Sequence, residues 1–239
     1  MSLWFRGINS YAHIHPYLNT ETGDFDQTIN RESADPDNAD AGNAVLTEGE
    51  YIAFTEVAPK GAEMISFGRF LVNPSPRPAL PPLAMDLTKP DEAKIIYYNQ
   101  DGKRAEPGAF YQIKFYYDQF PTCTMWVPRL WMTVSKLEDG TYQPTNDFTP
   151  YLGMGGHAIM VSEEGEFEKK AFQHLHSFLP TEPPGEFLFP FHGHMGPLPD
   201  GHYKVWVQFR HQGQATTIPI GLQYVNPPLP TNPARLCAE

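Results

Sequence analysis

The feature that most constrains the fold of this chain is the recurrence of short runs in which apolar and polar residues alternate. Five such runs, rich in aromatic and β-branched side chains, occupy 109–117, 129–136, 157–161, 172–176 and 202–210. A period of two is typical of half-buried strands, and the 25 prolines and 19 glycines supply the turns between them. No long stretch has the period of a helix. The sequence therefore predicts an all-β antiparallel sandwich, with helix confined to short turns.

Two proline-rich segments divide the chain into pieces of unequal length. Residues 73–90 have the composition of an extended, semi-rigid linker, and residues 226–239 form a similar tail. We therefore expect an N-terminal piece at 1–72 and a complete β-sandwich unit at 91–225.

The N-terminal piece repeats motifs found near the end of the larger unit. The matches pair 13–15 with 174–176, 49–54 with 201–206, and Gly61 with Gly213. Because the spacing of turn glycines and strand aromatics is shared, we interpret 1–72 as a partial copy, the second half of the same unit. A half-sandwich leaves an apolar face and strand edges open. We expect the C-terminal unit, a protein partner, a second copy of the chain or further native sequence to complete it.

Three histidines of the larger unit are candidate metal ligands. His174 and His176 lie two residues apart in a predicted strand, so their side chains share one face of the sheet. His157, in another predicted strand, is a plausible third ligand if the two strands pair. Imidazole nitrogen suits copper and zinc among other transition metals. The alternative is that these are buried polar residues that pin turns by hydrogen bonds, with Gly155 and Gly156 permitting close backbone approach.

Further candidates for a metal lie outside this group. His192, His194 and Met195 combine two imidazoles with a thioether, a set that suits copper because soft sulfur favours Cu(I). An exposed loop selected for turn chemistry is the alternative there. His13 and His15 repeat the same-face pair, and we interpret them either as a vestige or as part of a site shared across an interface.

For the remaining polar positions singled out here, we expect exposure to solvent and no metal. His202 and His211 fall at a turn and at a strand end, and we expect them to be ordinary surface residues. The acidic segment 35–42 offers oxygen ligands but lacks the glycine and terminal glutamate of a calcium-binding loop. We therefore expect a solvated acidic loop at that point.

The charge of the chain limits its partners. A net charge of −11, from 17 basic and 28 acidic residues, repels phosphate backbones and disfavours nucleic acid as a partner, whereas it favours cations. No apolar run approaches the roughly 20 residues needed to span a bilayer. The residues after Met1 lack the basic and apolar regions of a signal peptide, and Cys123 and Cys237 do not indicate a compartment.

Three segments of the larger unit carry a resemblance to known domains. They are the "PYLGMGGH" stretch at 150–157, the "HLH" motif at 174–176, and "PDGHYKVWVQF" at 199–209. These motifs resemble those of uncharacterised bacterial secreted or envelope-anchored domains with "PYLG…GH", "HxHP" and "PGxYkvWxQF" strands. The resemblance, over roughly 105–225, implies an immunoglobulin-like or cupredoxin-like sandwich fold, a periplasmic or extracytoplasmic location and an association with metal handling. It points to His157, His174 and His176, whereas Ser177 departs from the usual proline.

The sequence contains no pattern of an activated nucleophile. It has no nucleophile elbow, phosphate-binding loop or zinc-protease helix motif. The histidine pair is similar to that of cupin metalloenzymes, but Glu182 follows His176 at the wrong interval for that family. Two classes of function remain ahead of an enzyme. One is a metal-binding or metal-handling module of the bacterial envelope, and the other is a structural or protein-interaction module with architectural histidines.

Overall fold

The computed structural model describes fourteen stretches of the chain: residues 2–5, 11–13, 17–18, 20–22, 25–26, 49–57, 64–72, 84–101, 103–122, 125–151, 153–163, 172–179, 183–191 and 198–228. Within these stretches the regular elements are all β-strands. They are β1 (Ser2–Phe5), β2 (Tyr11–His13), β3 (Tyr17–Leu18), β4 (Phe25–Asp26), β5 (Gly49–Val57), β6 (Met64–Val72), β7 (Asp86–Leu87), β8 (Lys94–Tyr98), β9 (Arg104–Ala105), β10 (Tyr111–Pro121), β11 (Trp126–Glu138), β12 (Thr141–Pro144), β13 (Phe148–Thr149), β14 (Gly156–Ser162), β15 (Phe172–Ser177), β16 (Glu186–Pro190), β17 (Gly201–His211) and β18 (Gln214–Tyr224). No helix long and apolar enough to cross a membrane occurs among these residues.

The chain divides into two compact units, Met1–Pro81 and Pro82–Glu239, called unit 1 and unit 2 below. In unit 1, β2, β1, β5 and β6 form one antiparallel sheet in that order, and β3 pairs with β4. Ser2 of β1 is opposite His13 on one side and Phe54 on the other.

Unit 2 is a sandwich of two sheets. The first sheet has the order β12-β11-β10-β8-β9, with β16 also paired to β11. The second sheet has the order β15-β14-β17-β18-β7, with β13 also paired to β17. All pairs are antiparallel except β18 with β7. The all-β antiparallel sandwich predicted from alternation is confirmed, and the five predicted runs coincide with β10, β11, β14, β15 and β17 except at residues 109 and 110.

Alternation determines which residues of unit 2 fill the space between its sheets. In β10 the odd-numbered side chains from Tyr111 to Tyr117 are buried, and the intervening residues are partly exposed. From the second sheet, Ala158, Met160 and the odd-numbered residues Tyr203 to Phe209 join the same apolar cluster. This one core holds the two sheets together, since burial of apolar surface is the main force that favours folding.

Residues 73–90 were predicted to form a linker, but the end of this segment is part of unit 2. Ala84 and Leu87 are buried in the core, and β7 pairs with β18. The backbone N–H of Ala84 also donates to the carbonyl of Pro219 at 2.7 Å. Residues 84–90 therefore belong to the second sheet and its approach.

The second sheet is buried on both faces along β14. Its inner residues face the core, and its outer residues His157, Ile159 and Val161 are fully buried as well. Trp206 and Gln208 of β17 lie opposite Ile159 and His157 on this outer face and are also buried. The histidine motifs thus lie on the side of the second sheet away from the sandwich core.

Candidate metal centre

Strand pairing brings the three predicted ligands together. In the β14–β15 ladder, His157 is directly opposite His176, and His174 is opposite Ile159, one pleat along the strand. Directly opposed and diagonal residues of one face are close enough for their side chains to interact. The two residues between His174 and Ser177 alternate as expected, with Leu175 in the core and His176 on the outer face.

The imidazole rings form a tight cluster. His157 Nδ1 lies 3.1 Å from His174 Nε2, and one potential ligand atom from each of His157, His174 and His176 lies within 4.8 Å of the others. The ring centroids are 4.4 Å apart for His174 and His176 and 4.9 Å apart for His157 and His176. His157 is buried, whereas His174 and His176 are partly exposed, so the cluster has one anchored member and two that reach toward solvent.

A backbone carbonyl fixes the tautomer of His157. Its Nε2 lies 3.0 Å from the carbonyl oxygen of Tyr151. Because a carbonyl can only accept, Nε2 carries the proton and donates it, and the neutral ring then has its lone pair on Nδ1. That lone pair faces His174. In metal sites the ligating histidine commonly donates its other N–H to a carbonyl or carboxylate in this way.

Tyr151 anchors the cluster from the loop before β14. Its side chain is fully buried, and its ring lies edge-on to that of His157, with centroids 5.6 Å apart. The guanidinium of Arg210 lies 5.8 Å from the centre of the same ring. In the sequence Tyr151 stands out only as part of the motif at 150–157. Its contribution here is a main-chain oxygen, which no side-chain pattern encodes.

The two glycines before His157 permit β14 to pass close to its neighbours. A Cβ on Gly155 would lie 2.3 Å from backbone atoms of Phe178 and Leu179, and one on Gly156 would lie 3.0 Å from the carbonyl oxygen of Gln208. The N–H of Gly155 donates to the carbonyl of Ser177 at 2.8 Å. Close approach at this point holds the start of β14 against the end of β15, where His157 and His176 meet.

The other predicted ligands are not part of this cluster. His15, His192, His194 and Met195 lie outside the described residues, as do the acidic segment 35–42 and both cysteines. His13 ends β2 of unit 1. Metal binding by each of these positions stays a prediction.

The prediction that His211 is an ordinary surface residue is wrong. At the end of β17 it takes an odd-numbered position, so its ring lies on the inner face and makes edge contacts with Tyr111 and Phe148. Burial lowers the pKa of His211, and the carboxylate of Asp147 only partly offsets that effect. The alternation along β17 was the available signal, since Phe209, two residues earlier, is a core residue.

His202 also differs from the surface residue that was expected. Its Nε2 lies 3.3 Å from Asp86 Oδ1, and its Nδ1 contacts the Glu163 carboxylate. Gly221 permits this arrangement, because a Cβ there would collide with the Asp86 carboxylate. Burial alone would raise the pKa of Glu163, but bonds and charges from His202 and Lys204 bring it below its ordinary value. His202 thus joins β7 and the end of β14 to β17.

Comparison with known proteins adds one finding. Residues 128–225 match the family model of a domain of unknown function, DUF8832. The matched region begins in β11, ends after β18 and contains all three clustered histidines. No curated protein and no solved structure matches the chain.

Proposed function

We propose that this protein is a metal-binding β-sandwich module in which His157, His174 and His176 hold one copper or zinc ion. The observation that carries the proposal is the convergence of three imidazole ligand atoms within 4.8 Å on one face of the second sheet. The bond from His157 Nε2 to the Tyr151 carbonyl supports it, because that bond leaves Nδ1 as the ligand atom.

The spacing of the nitrogens fits a metal ion. Zinc binds imidazole at about 2.0–2.1 Å, so two nitrogens on one tetrahedral ion are roughly 3.3 Å apart. The 3.1 Å between His157 Nδ1 and His174 Nε2 is close to that spacing. His176 reaches the same ion by a ring movement of about 1.5 Å or less, as the 4.8 Å limit on the cluster implies.

A hydrogen bond between His174 and His157 competes with the metal for the same lone pair. Such a bond contributes on the order of 1 kcal/mol, whereas zinc bound to a structural site contributes about 10 kcal/mol or more. His174 can then carry its remaining proton on Nδ1 and bind the metal through Nε2. Metal binding therefore outweighs the loss of this bond by a wide margin.

Three protein ligands leave a fourth position on a tetrahedral ion. Sites with an open position exchange ligands, whereas closed four-ligand sites are structural. The partial exposure of His174 and His176 gives that position access from solvent. A role in handling or delivering the ion fits this arrangement better than a permanent structural role, and so we propose a non-enzymatic metal-handling module.

The setting of the module is proposed from the resemblance described above. Similar motifs belong to secreted or envelope-anchored bacterial domains, so we propose a periplasmic or extracytoplasmic location. A surface with a net charge of −11 attracts metal cations and disfavours nucleic acid. A protein partner or a second copy of the chain is proposed to complete the half-sandwich of unit 1.

One observation favours a second candidate function, a structural or interaction module. Both nitrogens of the buried His157 have hydrogen-bond partners without any metal, namely Tyr151 and His174. Buried polar groups that are satisfied in this way stabilise one arrangement of a fold. On this alternative the histidines hold β14, β15 and the preceding loop in place.

Calorimetric titration with Zn(II) and with Cu(II) distinguishes the two candidates. The protein is purified without a nickel column and treated with chelator, and the variants His157→Ala, His174→Ala and His176→Ala are compared with wild type. His211→Ala is the matched control, because it removes a histidine from the inner face of the same sandwich.

The proposal predicts about one ion per chain for the wild type and the control, and a loss of most binding in each cluster variant. It also predicts that the ion raises the melting temperature, since the unfolded chain does not assemble three ligands well. No heat of binding, together with a lower melting temperature of the cluster variants in chelator, supports the structural alternative and contradicts the proposal.

A further inference from the structure

The imidazole of His202 lies between two carboxylates at the end of the second sheet where β17 begins. Its Nε2 lies 3.3 Å from Asp86 Oδ1, and its Nδ1 contacts the Glu163 carboxylate. Asp86 belongs to β7, and Glu163 directly follows β14. One ring therefore connects three segments of unit 2 that are far apart in the sequence.

A glycine in β18 makes room for the contact between β7 and β17. Asp86 of β7 is opposite Gly221 of β18, and Gly221 is opposite Lys204 of β17. A Cβ at position 221 would collide with the Asp86 carboxylate and would lie 3.4 Å from Cε1 of His202. The carboxylate thus crosses β18 through the space that a side chain would occupy.

The two carboxylates favour the protonated form of the His202 ring. Carboxylates are ionised above about pH 5, and in that form they accept hydrogen bonds without donating any. A neutral imidazole has one N–H and can donate to only one of the two, whereas an imidazolium has an N–H on each side. Contacts with both carboxylates at once are therefore satisfied only by the charged ring.

The other charged group at this point, among the described residues, is Lys204. Its Nζ lies 3.3 Å from Glu163 Oε1. Gln223, opposite His202 in β18, is uncharged and donates to the carbonyl of Gly201. When His202 is protonated, two cations face two carboxylates. When it is neutral, the cation that faces Asp86 is lost, because Lys204 contacts Glu163.

We propose that His202 is a pH-sensitive latch for β7, in which the protonated ring holds Asp86 to the sheet and the neutral ring weakens that hold. Ala84 and Leu87 are buried in the core, so β7 stays docked in most molecules in either state. The latch changes how often the strand opens. Its contribution is present below the titration range of histidine, near pH 6.5, and is lost as pH rises through that range.

The position of β7 gives this latch a consequence for the chain. Unit 2 begins at Pro82, and β7 is its first strand. Opening of β7 detaches from the second sheet the segment by which unit 2 continues from unit 1. The latch therefore regulates, through pH, where that connection is anchored, and it does so independently of the metal site.

Hydrogen exchange at about pH 5.5 and about pH 7.5, on either side of the ordinary histidine titration, tests this inference on the intact protein in chelator. The N–H of Ala84 donates to the carbonyl of Pro219, and the N–H of Gly221 donates to the carbonyl of Met85. Both amides therefore report local opening of β7. The amide of Val134, in β11 of the first sheet, reports opening elsewhere in the sandwich.

The expected result is a higher relative protection of the β7 amides at the lower pH. After correction for the intrinsic exchange rate at each pH, the protection of Ala84 and Gly221 relative to Val134 should be about threefold higher at about pH 5.5. That factor is the size expected for one partly exposed ion pair.

Two variants remove the latch, and a third is the matched control. Asp86→Asn removes the carboxylate, and His202→Gln replaces the ring with a neutral amide, so each should abolish the pH dependence of the relative protection. Asp91→Asn makes the same change of charge at an exposed position after β7. Its φ of 60° is one that asparagine tolerates, and it should keep the pH dependence of wild type.

Either of two results would overturn the inference. One is equal relative protection of Ala84 and Gly221 at the two pH values in the wild type. The other is a pH dependence in Asp86→Asn as large as that in Asp91→Asn. Protonation of the buried His211 does not imitate the latch, because it destabilises the whole fold as pH falls and so lowers the protection of Val134 as well.

Discussion

The sheet of unit 1 and four strands of the second sheet in unit 2 have the same order and register. The order β2-β1-β5-β6 corresponds to β15-β14-β17-β18. Ile159 is opposite His174 on one side and Trp206 on the other. Ser2 is opposite His13 and Phe54, which are the residues that the repeated motifs pair with His174 and Trp206. β1 therefore corresponds to β14, a match that the sequence comparison did not find. This agreement supports the proposed duplication.

The two sheets differ in how much of the strand beside the histidine motif is described. β14 extends to His157, which lies opposite His176, whereas β1, Ser2–Phe5, corresponds to 159–162 and does not include the position of His157. Three imidazoles are therefore brought together in unit 2. A shared fold does not by itself establish a shared site, and we expect metal binding to follow His157.

The largest expected effect is a difference in Zn(II) affinity between variants of the histidine motif at 174–176 and variants of the motif at 13–15. His174→Ala should weaken Zn(II) binding at least about a hundredfold, because it removes a ligand rather than an outer hydrogen-bond partner, whose loss typically costs 10- to 100-fold. His13→Ala removes the corresponding residue of unit 1 and should leave affinity and stoichiometry unchanged. Equilibrium dialysis of both variants measures this difference. Equal losses in the two variants would show that both motifs contribute to one site.

The next effect concerns the backbone that positions His157. Gly155→Ala places a Cβ against the backbone of Phe178 and Leu179, so it should lower the free energy of unfolding by about 3 kcal/mol, the upper end for overpacking. Gly213→Ala is the control. Its φ of +79° is strained for alanine, but its Cβ meets open space, and the expected cost is about 1 kcal/mol. Urea unfolding measures both, and a smaller cost at 155 than at 213 would contradict the close-approach argument.

The smallest expected effect concerns the pH dependence of stability that His211 causes on the inner face of the second sheet. The repeat in the sequence has Pro59 of unit 1 at the corresponding position. Because burial lowers the pKa of His211 in the folded state, the unfolded chain binds this proton more readily. Stability from the neutral ring is fully present above the unfolded pKa of about 6.5 and is lost as pH falls toward the lower folded value.

His211→Phe tests that pH dependence directly. The variant should lose stability less steeply than the wild type as pH falls below about 6.5, since no imidazole has to be protonated on the inner face. Urea unfolding at several pH values, in chelator, measures the two slopes. Parallel curves for wild type and His211→Phe would contradict the burial of this ring.

Much of the fold could be predicted because strand alternation is a local signal. The buried odd-numbered residues of β10 are apparent in the sequence itself. β14 was harder, because all residues from Gly156 to Val161 are buried and periodicity does not distinguish the two faces of such a strand. β7 was missed, because a two-residue strand inside a proline-rich segment has no period. Its place depends on pairing with β18, far along the chain.

The histidine cluster could be anticipated in part for the same reason. A period of two places His174 and His176 on one face, but only the pairing register brings His157 opposite His176. The Tyr151 carbonyl that fixes the tautomer could not be predicted, since it depends on the path of a loop. The contacts of His202 with Asp86 and Glu163 were missed because these residues come from β17, β7 and the position after β14 and meet only in the folded sheet.

X-ray absorption at the zinc edge of the metal-loaded protein tests the central claim most directly. We expect one zinc per chain with three imidazole nitrogens at about 2.0–2.1 Å. His176→Ala should reduce that shell to two imidazoles if any zinc remains bound. A shell of oxygen or sulfur ligands, or an imidazole shell that is the same in His176→Ala as in the wild type, would contradict the assignment of the site to His157, His174 and His176.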